Sequence, residues 1–164
     1  YRRVAHISGP AHLMNFNDRI RGYTDALIEF GITPDSSLIY HGNVSIESGK
    51  EGTYHFLSMT DPPDAVFAAE DFTALGVIKT VKERGIRMPE DFGVVGFANE
   101  LFGEHISPTL STVGQQTIQM GKSALNLLLE VIDNKERKGN LRQKIVLEPQ
   151  LIWRRSSDKQ RKFN

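Results

Sequence analysis

Along this chain, short apolar runs alternate with segments whose apolar residues recur every three or four positions, the periods of strand and helix. The first run is RVAHIS, residues 3–8. Phe16, Ile20, Tyr23, Leu27 and Phe30 follow as one helical stripe, with Gly31 where a C-terminal cap belongs. SLIYHG (37–42) predicts a second strand, and Ser48 with Glu51 three residues on predicts a capping box opening a helix toward Met59. Gly49 and Gly52 weaken that helix, and Pro62 with Pro63 bars its continuation. AVFAA (65–69) predicts a third strand; Asp71 then caps a helix that turns Leu75, Ile78 and Val81 inward and ends at Gly85. GVVGF (93–97) predicts a fourth strand, whose unbroken apolarity between charged loops implies burial on both faces. Four successive βα units predict an α/β fold with a parallel, doubly wound sheet.

After Phe97 the rhythm changes. A loop with Pro108 leads to LSTV (110–113) and then to an amphipathic helix carrying Ile118, Gly121, Leu125, Leu128 and Ile132. The polar linker NKERKGNLRQ (134–143) precedes a closing strand, KIVLEPQLIW, whose Pro149 suits only an edge position or a break. The tail RRSSDKQRKFN sets five basic residues against Asp158 and reads as a solvated terminus.

Composition narrows the function classes. With 164 residues and 39% hydrophobic content the chain can bury a sizeable core. Lys plus Arg and Asp plus Glu both number 20, so no overall field draws it to nucleic acid or an anionic membrane. The absence of cysteine excludes disulfides and thiolate metal sites and fits a cytoplasmic protein. No apolar run approaches the roughly 20 residues of a membrane span. The chain starts in a strand without an initiator Met or a signal peptide, and is expected to be a piece of something longer.

No enzyme signature stands out. His6, His12, His41, His55 and His105 form no close ligand pair, so no metal is assigned, and no P-loop, GxGxxG turn or GxSxG elbow occurs. No cofactor is implied. Glu70, Asp71 and Glu100 at strand ends are the only acid–base candidates, and no nucleophile accompanies them.

Taken in order, HISGP, NDRIRGY, the span PPDAVFAAEDFTALGVIKTVKERGIRMPEDFGVVGF, PTLSTVGQ, MGKSALNLLL and LEPQLIWRRS resemble the lactose-repressor family of bacterial transcription regulators over nearly the whole chain. The resemblance implies the C-terminal lobe of a two-lobed, periplasmic-binding-protein-like sensor, with a sugar or related effector between the lobes. Residues 1–107 would form that lobe, 108–143 a crossover strand and helix belonging to the other lobe, 144–155 the closing strand and 156–164 a polar tail. The implied partners are a small carbohydrate-like effector, a second copy in a homodimer, and DNA only through a headpiece missing from this chain; no membrane is involved.

Arg19 matches the family's effector-binding arginine, and Glu70 and Asp71 fall on its Asn-Asp pair. Ala98 occupies the place where a GFD pattern supplies aspartate, which shifts the contact to Asn99, Glu100 and Phe102. Val44 stands where several members stack an aromatic ring on the sugar. Gln115 corresponds to a glutamine near the cleft, and Phe16 joins the same set. Carboxylates around one arginine favour neutral hydroxyls or a basic group over a phosphate. A sugar-binding protein of a transport system is the alternative on this fold.

Overall fold

The computed structural model describes residues 1–133 and 143–160. Its elements are β1 (Val4–Ser8), α1 (Met14–Glu29), β2 (Ile39–His41), α2 (Ile46–Leu57), β3 (Ala65–Ala68), α3 (Asp71–Glu83), β4 (Gly93–Ala98), β5 (Ser111–Gly114), α4 (Thr117–Asp133) and β6 (Gln150–Ile152), with 3-10 turns at Ser36–Leu38 and Leu101–Glu104. The six strands form one sheet in the order β2-β1-β3-β4-β5-β6. All neighbours are parallel except β5 and β6, which pair antiparallel.

Strand alternation places helices on both faces. Ala5, Ile7, Val66, Ala68 and Val94 share a cluster with Phe56 of α2 and Ala74, Val77, Ile78 and Val81 of α3. On the opposite face His6 stacks between Tyr23 of α1 and Phe67 of β3, at ring-centroid distances of 5.3 and 4.8 Å. Full burial of a side chain such as Ile7 or Phe56 contributes about 2–3 kcal/mol, so the α2/α3 side carries most of the core.

Local sequence explains most element ends. Gly31 and Gly85 adopt φ of +70° and +68°; after each, residues 32 and 86 donate back to Leu27 and Val81, a helix stop that a β-carbon would strain. Gly49 and Gly52, which weakened the second helix on propensity, are there for contact. A β-carbon on Gly49 would fall on the Thr73 carbonyl oxygen, and one on Gly76 on that of Ile46, so α2 and α3 touch backbone to backbone.

Several sequence expectations are corrected. Ser45, not Ser48, caps α2, accepting from the Ser48 N–H at 3.1 Å. Ser48 instead accepts from the Asn43 N–H and ties down the preceding loop. The second strand shortens to Ile39–His41 because Asp35 caps a 3-10 turn at Ser36–Leu38. Phe30 is exposed and Ile20 and Leu75 half-buried, since the faces toward the sheet are narrower than the apolar stripes. In β4, Val95 and Phe97 are only half-buried, so that strand is covered fully on the α3 side alone.

The strand at 110–113 does not leave for another lobe: β5 is hydrogen-bonded beside β4. Only Gln150–Ile152 of the closing segment is strand, which begins just after Pro149 at the sheet edge, where a missing N–H costs nothing. Nor is the whole tail solvated. Ser156 Oγ donates to Val94 O at 2.6 Å and accepts from the Ser111 N–H, and Ser157 bonds Ser111, which bolts residues 156 and 157 into the sheet. Residues 134–142 of the expected linker and 161–164 of the tail lie outside the described residues.

Helix α4 keeps its apolar stripe uncovered. Ile118 is 77% exposed and Leu125 55%, with Leu128, Leu129 and Ile132 close behind. No helix is long and apolar enough to cross a membrane among the described residues.

Candidate functional site

The sheet order reverses at β1. From β1 the chain moves outward to β2 on one side and then crosses to β3 on the other, with α1 on one face and α2 and α3 on the opposite one. In an open α/β sheet the crevice beyond the carboxyl ends of such strands is where ligands sit. Phe16, Arg19, Glu70, Asn99, Glu100 and Gln115 all come from segments that follow parallel strands at this edge.

Arg19 lies in the second turn of α1. Its Nη1 donates to the Ala69 carbonyl at 2.8 Å, at the end of β3, and its guanidinium carbon is 3.9 Å from the Phe97 ring centroid and 5.2 Å from that of Phe16. Burial lowers the guanidinium pKa and the charge of Glu70 raises it; the group stays a cation held between two rings. Phe16 is therefore buried packing beneath Arg19 rather than an open surface.

Glu70 is the N-cap of α3, its carboxylate accepting from the Phe72 N–H at 2.7 Å. Burial pushes its pKa up, while hydrogen bonds from the backbone of Phe72 and Thr73 pull it down. Asp71, one residue later, neither caps the helix nor faces the edge. It is fully buried, accepting from the Thr112 hydroxyl and from the Glu100 N–H, both at 2.7 Å. The strand-to-helix turn puts residue 70 at the cap and residue 71 beneath β4 and β5, so Asp71 leaves the ligand set and fixes the turn that carries Asn99 and Glu100.

That turn is conformationally unusual. Ala98 and Asn99 have φ of +124° and +60°, and Gln116, just before α4, has +55°. Such backbone is costly without glycine and clusters at functional sites. Thr112 Oγ1 accepts from the Asn99 N–H at 3.2 Å, and Asn99 Oδ1 accepts from Arg154 Nη2 at 3.0 Å. Gln115 is half-buried at the end of β5. Phe102 leaves the Asn99 turn to pair with Phe72, at 5.0 Å between centroids.

Val44 stands apart in the loop after β2, on the other flank of β1. That flank holds a depression of about 470 Å³ lined by residues including His12, His41, Asn43, Ser48 and Glu51. A larger one, about 550 Å³, lies by Tyr1, Trp153 and Lys159 at the opposite end of the sheet and gathers none of the strand-end groups. Among the described residues no three His, Asp or Glu side chains gather as a metal site.

Sequence reasoning missed two participants. Phe97 was assigned to a doubly buried strand, yet its ring is the platform for Arg19; alternation along β4 was the available signal. Arg154 was assigned to a solvated tail, and nothing local to its sequence places it beside Asn99.

Residues 1–157 match the periplasmic binding protein-like domain family. The chain belongs to the lactose-repressor family. Its relatives include the transcriptional repressor PurR of Photobacterium profundum, 30% identical over 95% of this chain and 46% of that protein. The transcriptional regulator CelR of Thermobifida fusca is 33% identical over 95% of this chain and 45% of its own. Among solved structures, a CelR–cellobiose complex superposes with a TM-score of 0.87 at 33% identity, covering 96% of this chain and 47% of that one. A LacI-family regulatory protein from Chloroflexus aggregans gives 0.88 at 28% identity, with 96% and 56% covered. The chain spans about half the length of the curated relatives it matches, and its fold is that of the lactose-repressor C-terminal lobe. These relatives are named as transcriptional regulators.

Proposed function

We propose that this chain is the effector-sensing lobe of a DNA-binding transcriptional regulator, taking a small, hydroxyl-rich molecule at the C-terminal strand edge. The observation that carries this is the meeting of Arg19 of α1 with the end of β3 and the Phe97 ring of β4, beside Glu70 and the Ala98–Asn99 turn with its positive φ angles. A planar donor fork on an aromatic ring, next to carboxylates, suits vicinal hydroxyls. The cellobiose bound to the CelR relative supports a carbohydrate. The chemistry is recognition without turnover. Effector binding shifts lobe closure and thereby the spacing of DNA-binding elements.

With equal numbers of acidic and basic residues, this lobe has no net field for DNA, so DNA contact falls to a separate headpiece. Such a regulator acts in the cytoplasm. The uncovered stripe of α4 fits packing against the other lobe of the full-length protein, which works as a homodimer. Sedimentation of the full-length protein should show the dimer at micromolar concentration; monomer alone at high concentration would contradict it.

The site is tested by calorimetry of the full-length protein against a panel of mono- and disaccharides, followed by Arg19→Ala on each hit. Loss of the guanidinium should weaken binding at least about tenfold, the equivalent of one charge-assisted hydrogen bond. Unchanged affinity in Arg19→Ala, with loss from changes in the first lobe, would move the site elsewhere.

A further inference from the structure

Between the ends of β4 and β5 lies a small recess of about 190 Å³, lined by residues including Ala98, Asn99, Gln115, Gln116 and Gln150. Its lining carries the amides of Asn99, Gln115, Gln116 and Gln150 and no carboxylate. The orientation of Asn99 is over-determined. Its backbone sits at φ +60° with the N–H on Thr112 Oγ1, and its side-chain oxygen takes the Arg154 guanidinium at 3.0 Å. Arg154 is itself anchored, with Nη1 on Leu110 O at 2.8 Å, Nη2 on Glu104 Oε1 at 2.7 Å, and a side chain only 12% exposed.

Arginine has donors and no acceptor, so the atom of Asn99 that meets it has to be the carbonyl oxygen. The amide nitrogen, with its two N–H donors, is what remains for anything entering the recess. Resting on the sensing function proposed above, we propose that Arg154 is a positioning residue that fixes Asn99 as a hydrogen-bond donor, so that the recess between β4 and β5 receives an acceptor oxygen of the effector. Arg19 offers donors as well, its fork having one N–H on Ala69. The two together select an effector that presents a pure acceptor to Asn99, a ring oxygen or the carboxylate of a sugar acid, since a hydroxyl can rotate to donate instead. A protonated amine, which has donors and no acceptor, is excluded at the Asn99 position.

The test uses two variants of the full-length protein, with cellobiose, glucose and glucuronate as probes. Asn99→Asp keeps the oxygen that Arg154 holds and tolerates the positive φ, but turns the outward donor into an acceptor. Arg154→Met releases Asn99 to rotate. Probe affinity is read by calorimetry, and the Asn99 side-chain amide signals by NMR. The expected result is that at least one probe shifts the wild-type Asn99 amide signals, that Asn99→Asp weakens that probe tenfold or more with an unchanged melting temperature, and that Arg154→Met abolishes the amide response. Binding that persists unchanged in Asn99→Asp overturns the inference. So does a probe that binds while leaving the Asn99 amide unmoved, in which case the sensing function stands and only the recess is wrong. If no probe binds anywhere, both the inference and the sugar-sensing reading fail.

Discussion

Gly76→Ala is expected to be among the most damaging single-atom additions in this protein, lowering its stability by about 2–3 kcal/mol. The added β-carbon would fall on the Ile46 carbonyl oxygen and lie 3.0 Å from the Gly49 Cα, so it meets backbone rather than a side chain that can rotate away. Helices α2 and α3 must then separate, opening the cluster they share around Phe56 and Val77. The intrinsic helix gain of alanine over glycine, up to about 1 kcal/mol, offsets only part of this. Gly22→Ala on α1 is the matched control, since nothing lies within 4 Å of its new β-carbon, and it should be neutral or stabilising. Urea unfolding of the three proteins decides the matter: equal midpoints for Gly76→Ala and Gly22→Ala would show that the helices are not in backbone contact.

The second large effect is on acid stability, and His6 produces it. The ring is buried between Tyr23 and Phe67, with Nδ1 donating to Phe67 O at 2.9 Å. Burial lowers its pKa from 6.5 to about 4; the Phe67 hydrogen bond opposes the shift, while the charges of His41 and Arg19 add to it. A base with a depressed folded pKa binds fewer protons folded than unfolded between those two values, so stability is complete above about pH 6.5 and falls as pH drops toward 4. The loss at pH 4 from this one group is about 3 kcal/mol. Glu70 acts in the opposite sense, because burial raises its carboxyl and it contributes stability on the acid side. Asp35 and Asp91, held low by Ser37 and Arg87, add acid sensitivity only near and below the ordinary carboxylate range. His6→Leu keeps an apolar filler between the two rings and removes the titration. The pH 4 to 7.5 stability difference should therefore shrink by about 3 kcal/mol in that variant; an identical pH profile in both proteins would show that another group carries the effect.

The sequence by itself determined the order of the elements and the parallel core of the sheet. Those features are written in local periodicity. Val4–Ser8, Ala65–Ala68 and Gly93–Ala98 are apolar runs too short for helices, and Gly31 and Gly85 stop helices through their own backbone freedom. The place of Glu70 beyond β3 was also legible, because it follows the end of that strand within two residues, whereas Arg19, well inside α1, was implied only by the family resemblance. What only the tertiary structure decided are relations between segments far apart in the chain. Glu70 takes the cap that Asp71 was assigned, since Thr112, 41 residues on, claims the Asp71 carboxylate. The strand at Ser111–Gly114 belongs to this sheet because its partner is β4, a pairing that no pattern within STVG specifies. Gly49 and Gly76 look like helix breakers until two helices are laid against each other. Arg154 looks like one more tail charge until Asn99, 55 residues earlier, is found beside it. Periodicity reports which face of an element is apolar, but it carries no information on which distant polar group will meet a buried donor or acceptor. That is set when the strands pair and the chain ends are brought together.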